Sequence, residues 1–152
     1  YLLAQYPDAN IVWTHRQPLD AIASFSSLAT KLHRGFSDTV NPKAVAAHEM
    51  QHFAKQLNMG MQQRRQLDRG QFLDISFTSI CEDPVESIRG IYRYFDIPLT
   101  GEAESRMRDY LAKRPRYLHG KHHYSADQFS LTRAQESDLF RDYLDRFAPL
   151  LA

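Results

Sequence analysis

The stretch Ile11-Val12-Trp13-Thr14-His15-Arg16-Gln17-Pro18-Leu19-Asp20-Ala21-Ile22-Ala23-Ser24-Phe25 changes its apolar period halfway along, so the chain must turn there from strand into helix. Its first five residues are β-prone and follow the turn-like Tyr6-Pro7-Asp8-Ala9-Asn10, which predicts a strand over 11–15. From Pro18 onward, Leu19, Ile22, Ala23 and Phe25 fall at helical spacing, with Pro in the first turn and Asp20 near the positive end of the dipole. This predicts a helix over 18–29. In an open α/β sheet the crevice beyond a strand's carboxyl end is where ligands bind, and Arg16 puts a cation at that corner. Its planar fork of donors suits phosphate, and the helix's N-terminal amides would add further donors. Ser24 lies roughly 12 Å along such a helix, a gap that an extended Arg could narrow until one phosphate touches both. The plainer alternative is an Arg capping a sheet edge and a Ser solvating a helix.

Arg16-x-Pro18-x-Asp20-x-x-x-Ser24 resembles the 3′-phosphate-binding segment of sulfotransferases that use 3′-phosphoadenosine 5′-phosphosulfate (PAPS). The resemblance implies that Arg16 and Ser24 hold the 3′-phosphate. Tyr6-Pro7-Asp8-Ala9 followed by Val12-Trp13-Thr14-His15-Arg16 is similar to the bacterial and carbohydrate-type branch of that family. Two further segments match in order. Phe72-Leu73-Asp74-Ile75-Ser76-Phe77, continuing to Glu82-Asp83-Pro84, resembles the family's strand, loop and helix in which an aromatic, usually Tyr, contacts adenine. Here that position is Phe77, so ring packing is kept and a hydroxyl bond is lost; the alternative is a core residue at a strand end. Leu118-His119-Gly120-Lys121-His122-His123-Tyr124-Ser125 resembles the late basic loop that closes over the 3′-phosphate, implying contacts from Gly120, Lys121 and His122. It departs from the Arg-Lys-Gly of the cytosolic enzymes, and a basic surface loop is the alternative. His119, His122 and His123 have no thiolate or carboxylate at close spacing, so no metal is expected.

The resemblance implies an α/β, P-loop-like fold, a parallel sheet with flanking helices, present here as about two strands and five helices. It implies one domain over 1–152, the C-terminal, 3′-phosphate-binding half of a sulfotransferase. The reaction would pass a sulfuryl group from PAPS to a hydroxyl or amine of a small-molecule or glycan acceptor. In the family the groups that act at the reacting centre lie upstream of anything matched here, and no Gly-rich Lys-Ser/Thr loop occurs, so no catalytic residue is assigned. A parallel sheet buried on both faces needs more than two strands. Either the others precede Tyr1 or the fold class is different. Tyr1-Leu2-Leu3-Ala4-Gln5, without an initiator Met, reads as the tail of a helix begun earlier in a longer protein.

Bulk properties bound the rest. A formal charge of +1 gives no electrostatic footprint for nucleic acid or an anionic membrane. The single cysteine, Cys81, allows no intramolecular disulfide and fits a reducing, cytoplasmic compartment. No apolar run is long enough to span a bilayer, and nothing in the sequence indicates an oligomeric state. Lys31-Leu32-His33-Arg34-Gly35-Phe36-Ser37-Asp38 reads as a mobile basic loop, near the acceptor by resemblance or else a solvated connector. Asn41-Pro42 should open a long helix ending at Asp68-Arg69-Gly70, and Asp83-Pro84 another over Val85 to Phe95. Further helices are expected near Thr100 to Lys113 and Thr132 to Phe147.

One motif competes. His48-Glu49-Met50-Gln51-His52 reads as H-E-x-x-H, whose i, i+4 imidazoles could share a zinc with Glu49 as general base of a hydrolase. The extended metzincin form would need Gly at Lys55 and His at Asn58, so the two His are read as helix-face residues. A helical interaction module that kept the shape without the activity is the other alternative.

Overall fold

The computed structural model describes residues 2–67, 69–114 and 123–151, the side chain of Arg69 excepted. The chain divides into two compact units, one of Tyr1–His15 with Leu67–His122 and the other of Arg16–Gln66 with His123–Ala152.

The first unit is built on a two-stranded parallel sheet. β1 (Ile11–His15) pairs with β2 (Phe72–Ser76) in a register running from Ile11 opposite Phe72 to His15 opposite Ser76. A short helix, α1 (Leu2–Gln5), precedes β1. Gln71 Nε2 donates to the Pro7 carbonyl at 2.5 Å, tying the turn before β1 to the residue before β2. His15 is wholly buried and its Nε2 lies 2.8 Å from Asp74 Oδ1. Burying the His15 ring is tolerable because it meets the half-buried Asp74 carboxylate.

Two helices follow the second strand. β2 stops one residue earlier than the sequence pattern suggests, because the Ser76 side chain accepts from the Thr78 amide and starts α4 (Phe77–Glu82). Phe77 therefore opens a helix and is half-buried. Asp83 then accepts from the Glu86 amide, with Pro84 at the first position of α5 (Pro84–Tyr94). α5 ends where Asp96 takes a left-handed φ of 53° and the Ile97 amide donates to the Tyr92 carbonyl at 2.8 Å. α6 (Gly101–Lys113) is capped by Thr100. Arg89 of α5 lies against Glu104 of α6, its Nε donating to Oε2 at 2.9 Å, and that pairing holds its guanidinium above the ordinary value.

The second unit is helical. α2 runs from Pro18 to Arg34, past the 18–29 expected, and absorbs Lys31, His33 and Arg34 as its last turn. Cations there face the negative end of the dipole, which accounts for helix where the basic composition suggested a loop. Its buried positions Leu19, Ile22, Ala23, Ser26, Ala29 and Thr30 form one stripe. α3 (Pro42–Arg64) begins as expected, with Asn41 Oδ1 accepting from the Lys43 and Ala44 amides, but stops at Arg64, short of Asp68. Alanines at 46 and 54 of α3 are buried, small residues that let the two helices pack closely. Phe25 meets Phe53 edge-on across them, at 5.3 Å between centroids.

The last helical stretch is two helices, α7 (Arg133–Leu139) and α8 (Arg141–Phe147), because Phe140 leaves helical geometry at φ −116°, ψ 16°. Phe140, Tyr143 and Phe147 are all buried, and Thr132's capping box fixes α7's start.

Candidate functional site

The strand-to-helix corner places Arg16 immediately after β1 and Ser24 two turns into α2. The expected gap between them is closed by an aromatic hydroxyl. Arg16 Nη2 donates to Tyr124 Oη at 3.2 Å, and Ser24 acts on the same hydroxyl, favouring its ionised form. Two side chains singled out for a common phosphate oxygen thus aim at a common oxygen. The Ser24 bond, with the Arg16 bond and charge behind it, holds the Tyr124 hydroxyl below the ordinary phenol value, while burial and the nearby Asp20 carboxylate work the other way. Asp20 is exposed one turn before Ser24 on α2. Its charge also raises Arg133, behind the larger effect of Glu136.

The helix amides behave differently from the sequence reading. Glu136, only 2% exposed, reaches from α7 and accepts from the Leu19 amide through Oε1 at 2.7 Å. Its Oε2 accepts from Arg133 Nη1 at 2.8 Å. The carboxylate therefore already neutralises the start of α2, and the Leu19 amide is not a donor for an incoming anion. Gln17, at the N-cap position, makes no side-chain cap, and its Oε1 is buried without a partner among the described residues.

The remaining residues fall into place unevenly. Phe77 sits in the first unit at the start of α4. Gly120, Lys121 and His122, with His119, lie outside the described residues. His48 and His52 stack 6.3 Å apart on the exposed face of α3, and among the described residues no group of three His, Cys, Asp or Glu side chains is arranged to hold a metal. Two residues that sequence reasoning passed over matter most here. Tyr124 stands inside the quoted basic loop, where a Tyr among cations was the available hint. Glu136 gives no local signal beyond being an acid in a first turn.

The model of the sulfotransferase family matches residues 1–101. No match was found among curated proteins. The crystal structure of sulfotransferase STF9 from Mycobacterium avium superposes with a TM-score of 0.84 at 28% identity, over 96% of this chain and 38% of that one. That of sulfotransferase STF1 from Mycobacterium tuberculosis H37Rv, type1 form, gives a TM-score of 0.77 at 28% identity, over 93% of this chain and 35% of that one. The chain thus spans little more than a third of the solved structures it resembles.

Proposed function

Since this chain belongs to the sulfotransferase family, we propose that it is the C-terminal, 3′-phosphate-binding part of a PAPS-dependent sulfotransferase acting on a hydroxyl or amine. The observation that best supports the reading is the convergence of Arg16 and Ser24 on one oxygen. A guanidinium and a hydroxyl that meet at a point are suited to a tetrahedral dianion, and charge-assisted bonds of this kind are about twice as strong as neutral ones. PAPS, when bound, supplies the activated sulfuryl group. The residues of this chain would hold the nucleotide's 3′-phosphate, so that the distant end of the donor is held in one orientation for an in-line attack.

Phe77 keeps the adenine-packing role as part of this reading, and Gly120, Lys121 and His122 keep that of a basic cover. The acceptor, small molecule or glycan, and the groups that act on it belong to the remainder of the protein. The same reading assigns residues 1–152 to one domain and the reaction to the cytoplasm, for which the single Cys81 is the support. Among the described residues no helix is long and apolar enough to cross a membrane.

The test is calorimetric titration with adenosine 3′,5′-bisphosphate of a protein that carries the upstream half together with these residues. Arg16→Ala should weaken binding by about 1.5 to 3 kcal/mol, the worth of a hydrogen bond to a charged group, and Ser24→Ala by less. Unchanged affinity in the Arg16 variant would falsify the assignment.

A further inference from the structure

Resting on the reading of Arg16 and Ser24 as phosphate ligands, we propose that Tyr124 sets the threshold for anion binding, its hydroxyl oxygen competing with the 3′-phosphate for the Arg16 guanidinium and the Ser24 hydroxyl. A phenolic oxygen has two acceptor positions. Here the Arg16 hydrogen bond goes to it at 3.2 Å and Ser24 acts on the same oxygen, so the chain itself supplies an oxygen at the point the two side chains share. Before a phosphate oxygen can take that place, Tyr124 must give it up.

The exchange discriminates between anions. A phosphate dianion forms charge-assisted bonds that exceed those of a neutral phenol, so it displaces the hydroxyl. An anion of lower charge gains less over the same competitor. Asp20, exposed on the same stretch of helix, adds a repulsive contribution that again only a strongly held ligand overcomes. Tyr124 also keeps Arg16 from extending at random, which limits the ordering cost when the nucleotide arrives.

Tyr124→Phe keeps the ring and removes the competing oxygen. Calorimetry with two probes, adenosine 3′,5′-bisphosphate and adenosine 5′-monophosphate, separates the outcomes. Competition is expected to show as a roughly three- to tenfold tighter affinity of the Phe variant for the bisphosphate, the worth of one modest hydrogen bond, with the monophosphate unaffected. If the Phe variant binds the bisphosphate equally or more weakly while Arg16→Ala still weakens the wild type, Tyr124 is a prop or a direct ligand and the competition is overturned, with the phosphate reading left standing. The same gain for both probes also overturns it, because the effect would not depend on the 3′-phosphate. If Arg16→Ala changes nothing in the wild type, the phosphate reading itself fails and the competition falls with it.

Discussion

The two units of this chain are stabilised in different ways. The unit of Arg16–Gln66 and His123–Ala152 buries a continuous set of apolar side chains, among them Ile22, Met50, Phe140, Tyr143 and Phe147. In the unit of Tyr1–His15 and Leu67–His122, Phe72 and Val85 are the apolar side chains that reach full burial among the described residues, and Leu73, Ile75 and Ile91 stop halfway. Polar pairs fill part of the difference: His15 with Asp74, and Arg89 with Glu104. Exposed ion pairs contribute little, so the apolar contrast should dominate. The lesson is that the Arg16, Ser24 and Tyr124 constellation sits in the better-packed unit. Side chains that must meet a ligand at a fixed point gain from a rigid support.

The contrast can be broken most directly by matched truncations. Phe140→Ala, at a side chain 1% exposed, should cost about 3 to 5 kcal/mol in urea unfolding, from lost transfer and the cavity left behind. Phe95→Ala, half-buried at the end of α5, should cost about 1 to 2 kcal/mol, since less apolar area leaves water there. Equal costs would mean that the two units are packed alike. A polar variant sharpens the picture of the helical unit. Glu136→Ala leaves the Leu19 amide buried without its acceptor and should cost about 1 to 3 kcal/mol, with loss of exchange protection concentrated at the first turn of α2. Protection lost evenly along the chain would show that Glu136 supports packing and not the helix start.

The smallest effect is a pH dependence. Tyr124 ionises below the ordinary phenol value in the folded chain, through Ser24 first and Arg16 second. The folded state therefore favours the phenolate relative to the unfolded chain. The sign follows: this group adds stability as pH rises from its folded value through the ordinary one near 10, is fully counted above that, and is lost as pH falls through the folded value. Near-ultraviolet titration should find one early-ionising tyrosine, moved upward by Ser24→Ala and by Arg16→Ala. A titration in which neither variant moves any tyrosine would remove the hydroxyl from the constellation.

Local chemistry was legible in the residues and long-range placement was not. Asn41-Pro42, Asp83-Pro84, Thr100 and Thr132 mark helix starts because a cap is satisfied within three residues, and all four stand where the pattern puts them. Ends were harder. α2 runs through Lys31 to Arg34, where Gly35 caps it, and α3 stops at Arg64 with no Gly or Pro to mark the boundary. Phe140, buried at the junction of α7 and α8, interrupts the final helix where the periodic pattern runs on without a breaker. Arg16 and Ser24 could be picked out by type and spacing, but their meeting at Tyr124 depends on a contact across more than a hundred residues. Glu136 reaching Leu19 is the same kind of contact and consumed a donor that the local pattern had offered to a ligand.

The parallel register of β1 and β2 has one more consequence. Parallel neighbours cannot be joined by a hairpin, so residues 16–71, carrying all of α2 and α3, are the crossover between them. Bringing His15 opposite Ser76 means closing that whole length of chain, at an entropic cost that a collapsed helical connection reduces in advance. The strand pair is thus tied, through the connectivity of the chain alone, to how compact the intervening helices make that loop.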